Sequence, residues 1–171
     1  MRAFLPGAAL VLGVLAAAGC HAPDPRAEVA LSEVETYWAV DRSVGGTQFI
    51  APVVRFRLNN KGGRPLRSIQ ASSTFRLKGD PQAWSGAFQQ VAPVAGHPLE
   101  PGQSTLVVLK PEGEGRYSST VPPEEMLAHQ NFKDVTVEVF LRVGSSGWTS
   151  MAQAAVDRRI GAHAAAAAEG R

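Results

Sequence analysis

Val135-Thr136-Val137-Glu138-Val139-Phe140-Leu141-Arg142-Val143 decides the fold class. Valine or leucine stands at every odd position, and Thr, Glu, Phe and Arg fill the even ones. Successive side chains of a strand point to opposite faces, so this period of two sends one row into a core and the other away from it. A helix would spread both rows around its circumference. Gly144-Ser145-Ser146-Gly147 then reads as a hairpin turn, and Trp148 to Val156 as the strand that pairs back.

The same grammar recurs upstream. Val54, Phe56 and Leu58 share one face of a strand, while Arg55 and Arg57 take the other. Asn59-Asn60-Lys61-Gly62-Gly63 supplies turn chemistry. From about Leu66 to Leu77, Ile69, Ala71, Ser73, Phe75 and Leu77 face inward; Ser68, Gln70, Ser72, Thr74 and Arg76 face water. Trp84 to Val91 reads as a further strand with Trp84 and Phe88 on the same side. Leu99-Glu100-Pro101-Gly102 is a tight turn, since proline fits its second position and glycine its third. It leads into Thr105 to Leu109, an unbroken apolar run that predicts a central strand. The first strand, near Val29 to Val40, changes face around Glu35, where a bulge fits.

Lys110 to Pro123 reads as a long loop, and Glu124 to Gln130 as one or two helical turns with acidic residues at the favoured start. No helices alternate with the strands, which argues against a parallel α/β sheet. The expected fold is all-β: an antiparallel immunoglobulin-like β-sandwich of about seven strands over residues 28–160. The alanine-rich tail, 161–171, predicts disorder, because isolated helices this short are marginal in water.

Lysine and arginine together number 17 and aspartate and glutamate 15, for a net charge of +2. So even a balance argues against nucleic acid as a partner, which calls for a basic face or stripe. There is one cysteine, Cys20, so no internal disulfide is possible. It follows a positive Arg2 and an apolar stretch, Phe4 to Ala18, shorter than the ~20 residues a membrane-spanning helix needs. The residues alone fit a secretory leader cut after Ala16-Ala17-Ala18, or a leader cut before the cysteine itself.

The run Leu15-Ala16-Ala17-Ala18-Gly19-Cys20 resembles the bacterial lipobox. That resemblance implies cleavage between Gly19 and Cys20, diacylglycerol on the Cys20 sulfur and usually an acyl group on the new amine. Residues 1–19 are then a lipoprotein signal peptide and 20–27 a lipidated tether, extended by Pro23 and Pro25. His21 is not the aspartate that retains enterobacterial lipoproteins at the inner membrane. This favours the outer membrane, facing the periplasm, in a cell with two. The stretch Val53 to Leu66, with Pro98-Leu99-Glu100-Pro101-Gly102-Gln103-Ser104 later, resembles bacterial extracytoplasmic immunoglobulin-like domains of the FxLYD kind. In those domains the first of these stretches forms the opening hairpin. The resemblance implies a non-catalytic, often lipid-anchored domain.

Few of the chain's residues form a pattern that carries chemistry. His97 and His129 lack the convergent ligands a metal site requires, so no metal and no cofactor is expected. No G-x-S-x-G elbow is present, and Ser145-Ser146 fits a turn. Glu124-Glu125 fits a helix start; Glu112 and Glu114 lie in a glycine-rich loop. An envelope hydrolase is the least favoured role. The outward rows carry Arg55, Arg57, Arg76, Arg142 and Phe140, and arginine beside an aromatic matches the residue types that dominate interfaces. These five form the expected partner-binding face, for an envelope protein of unknown identity. The chain reads as a lipid-anchored, non-catalytic interaction module, or alternatively as an accessory lipoprotein of a secretion or surface-assembly machine.

Overall fold

The period-two rows become two antiparallel sheets packed face to face. The structure, a computed structural model, describes residues 24–93 and 96–161. The leader, Cys20, the tether up to Pro23 and the tail from Ala162 lie outside the described residues. A helical turn, α1 (Pro25–Glu28), leads into β1 (Val29–Val44) and β2 (Thr47–Asn60). Next come β3 (Ile69–Leu77), β4 (Ser85–Ala92), β5 (Ser104–Leu109) and the short β6 (Tyr117–Ser119). The chain closes with α2 (Pro123–Ala128), β7 (Val135–Val143) and β8 (Thr149–Ala155).

One sheet runs β1-β2-β5, with β6 also paired to β2; the other runs β4-β3-β7-β8. The first, second and fifth strands thus share one layer. The third, seventh and eighth share the other, with the fourth beside the third. This is an immunoglobulin-like sandwich. Inward rows from both layers interleave, among them Val54, Phe56 and Leu58 against Ile69, Phe75, Val139 and Leu141, all buried. Removing each such side chain from water contributes about 1.5–3 kcal/mol toward the ordering entropy of the chain.

The expected bulge is present in β1. The pairing with β2 shifts between Ser32 and Glu35, and Glu33 adopts φ 51, in the left-handed region. A second shift, between Val40 and Arg42, leaves Asp41 as an extra residue.

Several expectations need correction. Asn59-Asn60-Lys61-Gly62-Gly63 is not a hairpin turn, because β2 and β3 lie in different sheets. It carries the chain across the sandwich, with Asn60 buried at the crossing. Asn60 Nδ2 donates to the carbonyls of Arg64 (2.9 Å) and Leu99 (2.8 Å), and its Oδ1 accepts from the Gly62 amide (3.0 Å). Those bonds tie the crossing to the Leu99–Gly102 turn, where Gly102 sits at φ 76 and the Gln103 amide donates to the Glu100 carbonyl.

β5 lies at an edge rather than centrally. It pairs with β2 alone, burying Val107 and Leu109 while leaving Leu106 exposed. Trp84 precedes β4 and turns in against Trp38, whereas Phe88 is exposed, so the two do not share a side. The Lys110–Pro123 segment is not all loop, since it holds β6. The ordered domain also extends past its expected bounds. Pro25 is buried in α1, so the extended tether does not run to Ala27. Gly161 donates its amide to the Trp38 carbonyl, so the tail's first residue belongs to the sandwich.

Candidate functional site

The five residues expected to form one face are divided between two. Arg55 and Arg57 lie on β2, in the first sheet; Arg76 lies on β3 and Phe140 and Arg142 on β7, in the second. Outward side chains of the two layers point in opposite directions. A period of two separates in from out but does not say which sheet a strand joins.

Three of the arginines are also occupied. Arg55 pairs with Glu35 at 3.1 Å, Arg57 with Glu33 at 3.0 Å and Arg76 with Glu138 at 3.2 Å. The hydrogen bond from Arg55, aided by its charge and by Arg159, holds the Glu35 carboxyl below its ordinary value. Arg142 remains exposed. Phe140 is half-buried in the outer row of the second sheet, opposite Ser72 on β3 and Ser150 on β8. Two aromatics that sequence reasoning did not single out as a pair join this face. Phe88 and Trp148 are 61% and 45% exposed, with ring centroids 6.3 Å apart in an edge-to-face contact.

The second candidate lies where β7 begins. Tyr117, Val121, Met126, His129 and Phe132 line a mostly apolar groove of about 320 Å³. Its floor is an aromatic cluster in which Tyr117 meets Phe132 at 4.8 Å and Trp38 meets Phe132 at 5.1 Å, centroid to centroid. These residues come from β6, α2 and the segments around them, where no strand or helix period marks them. The available signal was the residue type itself: tyrosine, methionine and phenylalanine in apparent loops need somewhere to bury.

Polar contacts fix the groove walls. Tyr117 donates its hydroxyl to the Lys133 carbonyl (3.3 Å), and burial pushes that phenol above its ordinary value. Arg158 donates to Asp134 (2.7 Å) and to the Leu127 carbonyl (3.2 Å), and its guanidinium lies 5.1 Å from the Phe132 ring centroid. The hydrogen bond from Arg158 holds Asp134 below the usual carboxylate range. His129 closes α2 with its backbone amide and accepts from the Asn131 amide at Nδ1.

Behind the groove, the bulged Asp41 receives Lys110 at 2.7 Å and Arg116 at 2.6 Å. Burial works to raise the Asp41 carboxyl. Hydrogen bonds from both cations, with their charges, overcome that and hold it below its ordinary value. This triad fixes the segment from which β6, and so Tyr117, enters the groove. Ser146, read as a turn residue, is one: its Oγ accepts from the Val143 amide at 3.0 Å. Among the described residues no three of His, Cys, Asp or Glu converge into a set able to hold a metal ion, and no helix is long and apolar enough to cross a membrane.

The fold thus defines an immunoglobulin-like all-β sandwich with an aromatic groove at one end. No family model matches the chain, and no curated protein does. Solved structures resemble it distantly. A Bacteroides uniformis β-glucuronidase 2 matches at 11% identity and a TM-score of 0.39, over 75% of this chain and only 12% of that enzyme. The putative ApaA protein of Bordetella pertussis matches at 13% identity and TM-score 0.38, over 75% of this chain and 92% of that one. An Archaeoglobus fulgidus protein matches at 12% identity and TM-score 0.38, over 74% and 95% respectively.

Proposed function

We propose that this protein is a lipid-anchored, non-catalytic binding module of a bacterial cell envelope, held by Cys20 and receiving a partner in the Tyr117–Phe132 groove. In a cell with two membranes the outer one, facing the periplasm, is the favoured site. The observation that carries this reading is the polarity of the sandwich. The chain enters at Asp24, four residues after Cys20, and α1 packs where β2 ends: the Lys61 amide donates to the Glu28 carbonyl. The groove lies at the opposite end, near the start of β7. The nine residues of β7 span about 25–30 Å between those ends, at ~3.3 Å per residue. Whatever the lipid holds at a membrane, the groove is carried away from it.

An apolar, aromatic-walled groove suits an apolar side chain or short segment of another envelope protein. Val121 stands on its rim at 38% exposure, so a charge there disturbs binding without entering the core. Val121→Arg is expected to reduce proteins co-purifying with the lipidated chain by at least about tenfold, with the unfolding midpoint unchanged. Undiminished co-purification contradicts the groove as the binding site.

A further inference from the structure

Most arginines of the sandwich hold a carboxylate, as Arg55, Arg57, Arg76 and Arg116 do. Four arginines, Arg26, Arg42, Arg67 and Arg142, are ion-paired to no described residue; Arg42 stacks over the Phe49 ring near the far end of β1, and the other three lie at the end where the chain enters. Arg26 donates to the Ser150 carbonyl at 2.7 Å, and Ser150 stands across the ladder from Phe140. Arg67 lies beside Val143 and Gly144, and Arg142 precedes them on β7. The exposed Phe88–Trp148 pair sits on the same outer face. Of the acids at this end, Glu100 lies in the turn bonded to Asn60 and is ion-paired to no described residue, while two others are engaged. Asp24 caps α1 through the Arg26 amide, and Glu28 is taken by Arg64.

We propose that this aromatic and basic end of the second sheet docks on the surface of the membrane that holds the lipid, against anionic headgroups. The inference rests on the lipid-anchor reading. Asp24 is the fourth residue after Cys20, and four residue steps span at most roughly 14 Å in any conformation. The bilayer surface must therefore lie within that reach of the end that carries Arg26. Tryptophan settles at the headgroup level of a bilayer, phenylalanine buries its ring at the acyl boundary just beneath, and unpaired arginines are drawn to the surface's negative charge. A soluble partner could meet the same residue types, but no tether would bring it to this end in particular.

The test uses the full lipidated chain in vesicles of phosphatidylcholine and phosphatidylglycerol with acyl chains brominated near the headgroup, which quench nearby indoles. The chain has 3 tryptophans; Trp38 is buried and Trp84 turns inward, leaving Trp148 as the one positioned to meet lipid. Emission is expected to fall by roughly a third, one indole's share of three, and the fall to vanish in Trp148→Phe. Unquenched emission from the lipidated wild type overturns the docking, as does quenching that survives Trp148→Phe. If unquenched protein also sediments as a dimer, the face belongs to a second copy. Intact mass is read first on the same sample, and a Cys20 without lipid overturns the anchor reading itself.

Discussion

Trp38→Ala is expected to lower the unfolding midpoint by about 10–20 °C, the consequence of losing roughly 3–5 kcal/mol. Trp38 is fully buried and meets Trp84, Tyr117 and Phe132, so it joins β1 to both walls of the groove. Truncation leaves a cavity that three separate segments would have to fill together. The loss is a large fraction of the whole stability of a modest domain, which is about 5–15 kcal/mol. Trp38→Phe is expected to recover most of it. The Trp38 indole N–H is buried and has no partner among the described residues, so phenylalanine gives up an unpaired polar group while keeping ring contacts. Thermal unfolding followed by circular dichroism checks both. Similar losses for the two variants would show that the cluster does not organise this end.

Asp41→Ala carries the second large effect, about 2–4 kcal/mol, because it strands two cations. Arg116 is 13% exposed and cannot turn to water, whereas Lys110, at 34%, can, which keeps the cost below that of a fully buried pair. The acid dependence follows from the direction of the shift. The folded Asp41 carboxyl lies below its ordinary value, so its contribution is complete above the unfolded value. It is lost as pH falls below about 4, through the folded value. Denaturant unfolding from pH 7 to pH 2 is expected to show a shallower decline for Asp41→Ala than for the wild type, with Glu35 and Asp134 supplying the remaining slope. Parallel declines would place the stabilising charge elsewhere. Because the triad fixes the segment before β6, the variant is also expected to loosen Tyr117 in the groove.

Where the sequence was legible, one physical rule did the reading. Val135–Val143 alternates because one face is buried and the other is not, and every odd position there is buried. The same rule was blind to partners. Asn59–Gly63 carries residues that suit a hairpin and a crossing between sheets equally well, since turn chemistry is local and sheet membership is not. Leu106–Leu109 is apolar throughout, yet it lies at an edge with Leu106 in water, so composition overstated its burial. Arg55 and Arg142 both point outward, but from opposite layers.

The groove was harder still. Its side chains come from a three-residue strand, a six-residue helix and their flanks, elements too short to show a period. Asp41 aims at Lys110 and Arg116 from a bulge, and a bulge breaks the alternation by which it would be found. Turn chemistry did carry through, as at Ser146, because that contact lies within three residues along the chain.

The proposed address of the protein depends on what Cys20 carries. Intact-mass measurement of the protein from its native host is expected to find a chain beginning at Cys20, heavier than its residues by a diacylglycerol and, in the fully processed form, a further acyl group, about two or three chains in all. A chain with an unmodified Cys20 thiol would contradict it.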